Sequence, residues 1–600
     1  MSRALERSGW EGRPFKAVLV KGRGNYVSIR RLRLASSRQD KLFADAASRR
    51  SLHVIEDWGY QTEDGTLSTL PSLERPGVWD RVQSDSGNCM GRKCPHHNEC
   101  FYQTARREME DANLLVCNHA LFFSDLALRA QQAGFLPSYD HVVLDEAHMV
   151  EEVAGEHFGR SLAEGRVRHL LSSLYHERTR KGFLANLSLS SGDTEPVDRA
   201  VRLVMDAGEA AGDFFESVEA LTRSDAHDAG QRRSPSTSAR VRTPGAIDNP
   251  LSDPMNRLVQ RLRLLKDDAS TDADRFELNA YAQRAAAIAD DAEALVVQSL
   301  PGCAYWTEVS SAGQGGSRLR VGMACSPIDV APVLREHLFG DDGPSVVLTS
   351  ATLATRSPSE DEPAEHREAA FTHVIERLGC DGARTLQLGS PFDHARQVEL
   401  FVDVSMDSPA GAGGASLGYY DALVARVLDH LVATDGGAFV LFTSFAALNA
   451  VADRLAAPLE SLDMPLLAQG RDGPRGELLR RFREHDRSVL LGAASFWQGV
   501  DVRGEALRNV IITKLPFDPP DRPLTEARTE RIRDRGGDPF REEALPRAVI
   551  RFKQGFGRLI RSGDDRGRVA VLDPRVVTKS YGRAFLAALP EGVEPHVLRE

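Results

Sequence analysis

Six hundred residues, 42% hydrophobic and 27% charged, form an ordinary globular composition, and the length calls for several domains rather than one core. The formal net charge of −11 excludes a generally basic coat for nucleic acid but leaves room for a local basic channel. No apolar run approaches a membrane span, and seven cysteines without a secretion signal predict a reducing, cytoplasmic setting with no membrane partner.

Residues 15–20 predict a short strand that runs into Lys21-Gly22-Arg23-Gly24-Asn25-Tyr26. The stretch 35–110 mixes helix and loop around three cysteines. Apolar runs at 113–121 and 140–145 end in polar residues and predict strands of a parallel sheet. The second, Val142-Val143-Leu144-Asp145-Glu146-Ala147-His148, delivers two adjacent carboxylates at its end, where α/β folds place ligands. Asp145 suits a water-mediated hold on Mg²⁺, and Glu146 suits polarising an attacking water. Taken alone, the same four letters read equally as the acidic start of a helix.

From about 150 to 315 the period becomes helical, most clearly over 274–297. A Ser-, Pro-, Arg-, Asp- and Gly-rich interruption at 223–253 predicts a disordered surface loop. Strand-like runs return at 345–349, 398–403, 438–442, 488–492, 509–513 and 568–572, mostly separated by helical stretches. Breaks at 355–368 and 406–417 read as loops. The fold class is α/β with parallel sheets.

Three further motifs follow apolar runs. Ser350-Ala351-Thr352 follows residues 346–349, and Phe496-Trp497-Gln498-Gly499-Val500-Asp501 follows residues 488–492. The last is Gln554-Gly555-Phe556-Gly557-Arg558-Leu559-Ile560-Arg561. On a helix Gln554, Arg558 and Arg561 would share one face, offering two guanidiniums beside an amide to a γ-phosphate. Two glycines inside such a helix are costly and ask for a reason.

A phosphate loop, G-x-x-x-x-G-K-[ST], is absent from these 600 residues. It would need glycines for close backbone approach, a Lys for the outer phosphates and a hydroxyl for Mg²⁺. None of the nine lysines follows a glycine and precedes Ser or Thr. Lys579, in Thr578-Lys579-Ser580, comes nearest and has no glycine loop.

The order D-E-A-H, S-A-T, F-W-x-G-x-D, Q-G-x-G-R-x-I-R resembles a superfamily 2 helicase, and within it the XPD/DinG-type DNA helicases. Further matches are Asn118-His119-Ala120-Leu121-Phe122, Ser390-Pro391-Phe392-Asp393, Phe442-Thr443-Ser444-Phe445 and Lys514-Leu515-Pro516-Phe517, so the resemblance runs from about residue 15 to the C-terminus. It implies two RecA-like motor domains, the first carrying two insertions. The expected layout is a remnant of the first motor domain at 1–25, a cysteine-cluster insertion at 26–108 and first-motor sequence with D-E-A-H at 109–155. A helical arch at 156–318, the end of the first motor domain at 319–397 and the second at 398–600 complete it.

The same resemblance implies ATP and Mg²⁺ as cofactors, 5′ to 3′ unwinding, single-stranded and forked DNA as partners, and a monomeric motor. Asp145 and Glu146 would serve Mg²⁺ and water activation, Gln554 would sense the γ-phosphate, and Arg558 and Arg561 would act as arginine fingers. His148, Gly499 and Asp501 would contact the nucleotide, while Thr443, Ser444, Phe445, Ser495 and Phe496 would face DNA. In the family the phosphate loop precedes the K-G-R-x-N-Y segment, so here it would lie upstream of Met1. The expectation is an N-terminally shortened chain, from a truncated gene model or a misplaced start codon, with little or no ATPase activity as it stands. The alternative is a non-catalytic DNA-binding protein derived from a helicase; an RNA- or hybrid-unwinding enzyme differs only in substrate.

Cys89-x4-Cys94-x5-Cys100 matches three of the four thiolates that hold a [4Fe–4S] centre in DinG-type helicases. The fourth position reads Ser28, a poor substitute for a soft thiolate. Three outcomes stay open: a three-Cys cluster completed by Ser28 or another group, a Zn²⁺ site using His96 or His97, or a metal-free finger.

Overall fold

The structure is a computed structural model that describes residues 15–43, 45–228, 236–311, 319–357, 362–408, 417–497, 502 and 504–599. Fifteen strands occur among these residues. They are β1 (Ala17–Leu19), β2 (Leu114–Val116), β3 (His141–Leu144), β4 (Arg160–Ala163), β5 (Ser236–Arg240), β6 (Cys303–Ser311), β7 (Leu319–Pro327) and β8 (Ser345–Leu348). The rest are β9 (Val398–Asp403), β10 (Ala438–Leu441), β11 (Leu466–Ala468), β12 (Val489–Gly492), β13 (Asn509–Ile512), β14 (Gly567–Val571) and β15 (Pro595–Leu598). The described residues divide into two compact units, one running to Asp140 and again from Glu152 to Ile328, the other comprising His141–Glu151 and the chain from Asp329 onward.

In the first unit β1 and β2 pair in parallel, Ala17 opposite Leu114. The predicted strand at 113–121 stops at Val116, because Asn118 caps a helix at His119–Arg129 by accepting from Leu121 N at 2.9 Å. The cysteine-bearing segment closes around Leu52, Ile55, Trp58, Trp79 and Val82. A separate core lies among the helices Glu164–Leu174, Glu195–Asp228, Ser252–Asp268 and Asp272–Val296.

That second core also contains a four-stranded antiparallel sheet, β4-β7-β6-β5, which corrects the purely helical reading of residues 150–315. The strand β5 falls inside the interval expected to be a disordered loop. Its backbone pairs with β6, Ser236 opposite Ser310 through Arg240 opposite Trp306. A polar edge strand is held by main-chain bonds to a neighbour distant in sequence, and composition does not register these. Residues 223–228 are helical, and 229–235 lie outside the described residues.

The second unit holds an all-parallel seven-stranded sheet in the order β11-β12-β10-β13-β14-β9-β15. Its central strands are fully buried on both faces, as their unbroken Val, Ile, Leu and Phe runs require. Strands β11 and β15 escaped the sequence reading; one has three residues and the other is a half-exposed edge. A second parallel pair, β3 with β8, places Val143 opposite Val347, exposed by 65% and 52% respectively. No helix among the described residues is long and apolar enough to cross a membrane.

Candidate active site

The register of β3 and β8 sets Leu144 beside Leu348 and so brings two motifs together at adjacent strand ends. The ladder continues past the strands, with Thr349 N donating to Leu144 O and Ala147 N to Thr349 O, each at 3.0 Å. Asp145 is exposed, and its Oδ1 accepts from Glu146 N at 2.9 Å. Glu146 sits at φ 49°, a left-handed conformation that costs a non-glycine residue about 1–3 kcal/mol. Both acids are exposed at the strand end.

His148 ties Glu146 to the S-A-T segment. Its Nδ1 lies 3.0 Å from Ser350 Oγ, 3.4 Å from Thr352 Oγ1 and 3.4 Å from Glu146 Oε2. Ser350 Oγ in turn donates to Glu146 Oε2 at 3.4 Å. From the other side, Gln554 Nε2 donates to Thr352 Oγ1 at 3.3 Å. A continuous hydrogen-bonded path therefore runs from Glu146 through the hydroxyls to Gln554.

Gln554 sits in the last turn of the Leu545–Phe556 helix, which ends at Gly557. Arg558 and Arg561 lie beyond that end, which corrects the expectation of one shared helical face. Both glycines now have a reason: Gly557 ends the helix, and a Cβ on Gly555 would come within 2.9 Å of the Trp497 ring. Arg558 is buried, and its Nε donates to Trp497 O at 3.1 Å. Arg561 N and Ser562 N each donate to Asp565 Oδ2 at 2.7 Å, fixing the turn. Burial alone would raise the Asp565 carboxyl, but these donors and Ser562 Oγ hold it below its ordinary range. Gly499 and Asp501 lie outside the described residues.

Lys553, which sequence reasoning missed, donates from Nζ to Ala354 O at 3.1 Å, just past S-A-T. Its burial pulls the ammonium down to about 8. The only sequence signal was adjacency to Gln554.

The residues expected to face DNA gather at the C-terminal ends of β10 and β12, neighbours in the sheet. Ser444 caps the Phe445–Ser461 helix, and Phe445 is 48% exposed. Thr443 is half-buried beside them. Ser495 is exposed and accepts from Gln469 Nε2 at 2.9 Å, while Gln469 Oε1 accepts from Ala493 N at 2.7 Å. Gln469 follows β11, so missing that strand hid it. Phe496 is fully buried in the sheet's apolar core, so its expected contact with DNA is corrected: it anchors the turn that presents Ser495.

Cys89, Cys94 and Cys100 line one small, partly open pocket together with Ser28, Arg30 and His97. Ser28 Oγ caps the Ile29–Ser37 helix by accepting from Arg31 N at 3.4 Å. Among the described residues no three His, Cys, Asp or Glu side chains stand together as a ligand set. With Ser28 at the fourth position, the finger offers three thiolates where a four-thiolate [4Fe–4S] site needs four.

Residues 427–592 match the helicase C-terminal domain family. The chain is 33% identical over 602 residues to the ATP-dependent DNA helicase YoaA of Escherichia coli (strain K12), covering 98% of this chain and 83% of the relative. The chain belongs to the XPD/DinG-type superfamily 2 helicases. This helicase is also 30% identical over 578 residues to YoaA of Haemophilus influenzae, covering 96% of the chain and 81% of the relative. A solved XPD helicase shares its fold at TM-score 0.54 and 16% identity, covering 100% of this chain and 89% of that one. The parallel sheets of this helicase are accordingly RecA-like.

Proposed function

We propose that the chain is an ATP-dependent DNA helicase whose nucleotide site lies between the acids at the end of β3 and the turn after the Leu545–Phe556 helix. The observation that supports this most is the hydrogen-bonded path Glu146–Ser350/His148–Thr352–Gln554. Asp145 would hold Mg²⁺, which supplies charge neutralisation on the phosphates when bound. Glu146 orients and deprotonates the attacking water, and His148 holds that carboxylate. Gln554 reads the γ-phosphate and relays its presence through Thr352 to the acids. Arg558 and Arg561 supply positive charge, their turn set by Trp497 O and Asp565.

Thr443, Ser444, Phe445 and Ser495 form the surface proposed to grip a single strand, through hydroxyl–phosphate contacts and stacking on Phe445. Unwinding from 5′ to 3′, a forked substrate, a monomeric motor and a cytoplasmic setting follow from family resemblance. So does the domain layout, with motor domains ending at 397 and 600. With no G-x-x-x-x-G-K-[ST] in these residues, nucleotide affinity and turnover by this chain alone should be low. Metal binding at the cysteine finger is a separate proposal, supported by three thiols and His97 lining one pocket.

Fluorescence polarisation with single-stranded and forked DNA, paired with ATP hydrolysis at saturating ATP, tests the reading. The expected result is salt-dependent DNA binding with slow DNA-stimulated hydrolysis that Glu146→Gln reduces further. Absence of DNA binding, or vigorous hydrolysis indifferent to Glu146→Gln, overturns it.

A further inference from the structure

Five residues beyond Glu146, in the first turn of the Val150–Phe158 helix, Glu151 is enclosed by guanidiniums from three other helices. Arg528 Nη2, on the Pro523–Asp534 helix, lies 2.6 Å from Oε1. Arg547 Nη1, on the Leu545–Phe556 helix, lies 2.8 Å from Oε2. Arg377, on the Thr372–Leu378 helix, donates to Oε1 through Nε at 3.1 Å and also through Nη2. The Glu151 side chain is only 12% exposed. Burial would push the carboxyl up, but Arg547, Arg528 and Arg377 hold it well below the carboxylate range.

Glu543 is the one other carboxylate close to all three, and it stands farther off, 3.5 Å from Arg528 and Arg547 and 3.7 Å from Arg377. Without Glu151, the three partly desolvated cations would share Glu543, with Asp518 Oδ2 at 3.4 Å from Arg547 Nε as a further acid, and like charges in a low-dielectric pocket repel strongly. Glu151 is thus the acid closest to all three guanidiniums and offsets the most of their mutual repulsion. Arg547 precedes Gln554 by seven residues, two turns or about 10 Å along one rigid helix. At the other end, Glu151 is joined to the acids by a single helical turn.

We infer that Glu151 is a positioning residue: it clasps the helix bearing Gln554 to the segment bearing Asp145 and Glu146, and so sets the Gln554–Thr352 contact. This rests on the helicase reading for its purpose, but the clasp itself is measurable without turnover. The arrangement is stiff because one carboxylate accepts from three forked donors, so no single helix can shift without breaking a charge-assisted bond. A neutral amide of the same shape keeps the packing and loses the attraction.

Hydrogen–deuterium exchange of the 600-residue chain tests the inference in Glu151→Gln, with the exposed neighbour Glu152→Gln as control. Residues 349–355 and 545–561 should exchange at least about tenfold faster in Glu151→Gln, while β10, β12 and β13 keep their protection and Glu152→Gln matches wild type. Glu151→Asp, which retains the charge, should recover part of the protection. Should Glu151→Gln fail to fold, Arg547→Lys keeps the charge, loses the fork, and should loosen the same two segments. Unchanged exchange in both segments, or equal acceleration throughout the sheet, overturns the inference. Neither outcome touches the DNA-binding and hydrolysis results, which judge the helicase reading separately.

Discussion

Gly555 lies against the indole of Trp497, so close that a Cβ there would stand 2.9 Å from one ring carbon, 3.0 Å from another and 3.3 Å from Leu441 Cδ1. Trp497 cannot yield readily, because its Nε1 donates to Phe442 O at 2.9 Å and the side chain is fully buried. Alanine in a helix interior gains about 1 kcal/mol over glycine, whereas overpacking costs about 1–3 kcal/mol. Gly555→Ala is expected to lower stability by up to about 2 kcal/mol, read as a reduced urea midpoint. A raised midpoint would contradict the close packing.

Lys553 should impose a pH dependence of known sign. Its ammonium titrates at about 8 in the folded chain against the ordinary 10.5, because of burial. Between those values the unfolded chain binds the extra proton, so this group's contribution to stability rises with pH across that window. Below about 8 both states are protonated and the full burial cost persists. In Lys553→Met that slope disappears. The wild-type minus Lys553→Met difference in unfolding free energy should therefore increase from pH 8 to 10.5 and stay flat below.

Two neighbouring phenylalanine motifs should separate cleanly by assay. Phe445 is exposed at the end of β10, and stacking of one base on an aromatic ring contributes about 1–3 kcal/mol. Phe445→Ala should weaken single-stranded DNA binding about tenfold with little change in thermal midpoint. Phe496→Ala should instead cost about 3–5 kcal/mol of stability by opening a cavity in the core. Urea titration and fluorescence polarisation on both variants decide this.

At the cysteine finger, Ser28 and the thiols should behave differently. On the proposed metal-binding reading, anaerobically purified chain carries iron or zinc that Cys94→Ser and Cys100→Ser remove, as measured by elemental analysis, and metal-free chain overturns that reading. Ser28→Ala should leave the metal in place and cost about 1 kcal/mol as a lost helix cap. Loss of metal in Ser28→Ala would make the hydroxyl a ligand instead.

Much of the chemistry was legible before any fold was known. Asp145 and Glu146 follow an apolar strand run, and the parallel register then delivers them to a strand end as the pattern requires. The absence of a phosphate loop needed only the nine lysines and their neighbours. Five of the six strands β9–β14 were visible as apolar runs, because buried parallel strands are apolar on both faces; β8 showed such a run too, although Val347 in it is exposed. Short or half-exposed β11, β15 and β5 lack that signature, since their stability comes from backbone bonds to residues far away in the chain.

The motif string could name Arg558 and Arg561 but not show that the helix stops before them, because Gly557 can sit inside a helix or end one. Nor could it separate exposed Phe445 from buried Phe496, as aromatic side chains suit a stacking surface and a core equally well. Glu151 illustrates the same limit most sharply. As a letter it is an ordinary acid near a helix start, and its three arginines come from 226, 377 and 396 positions later in the chain. Local chemistry is written in adjacent residues, whereas encounters between distant charges exist only once strand order and packing have brought their helices together.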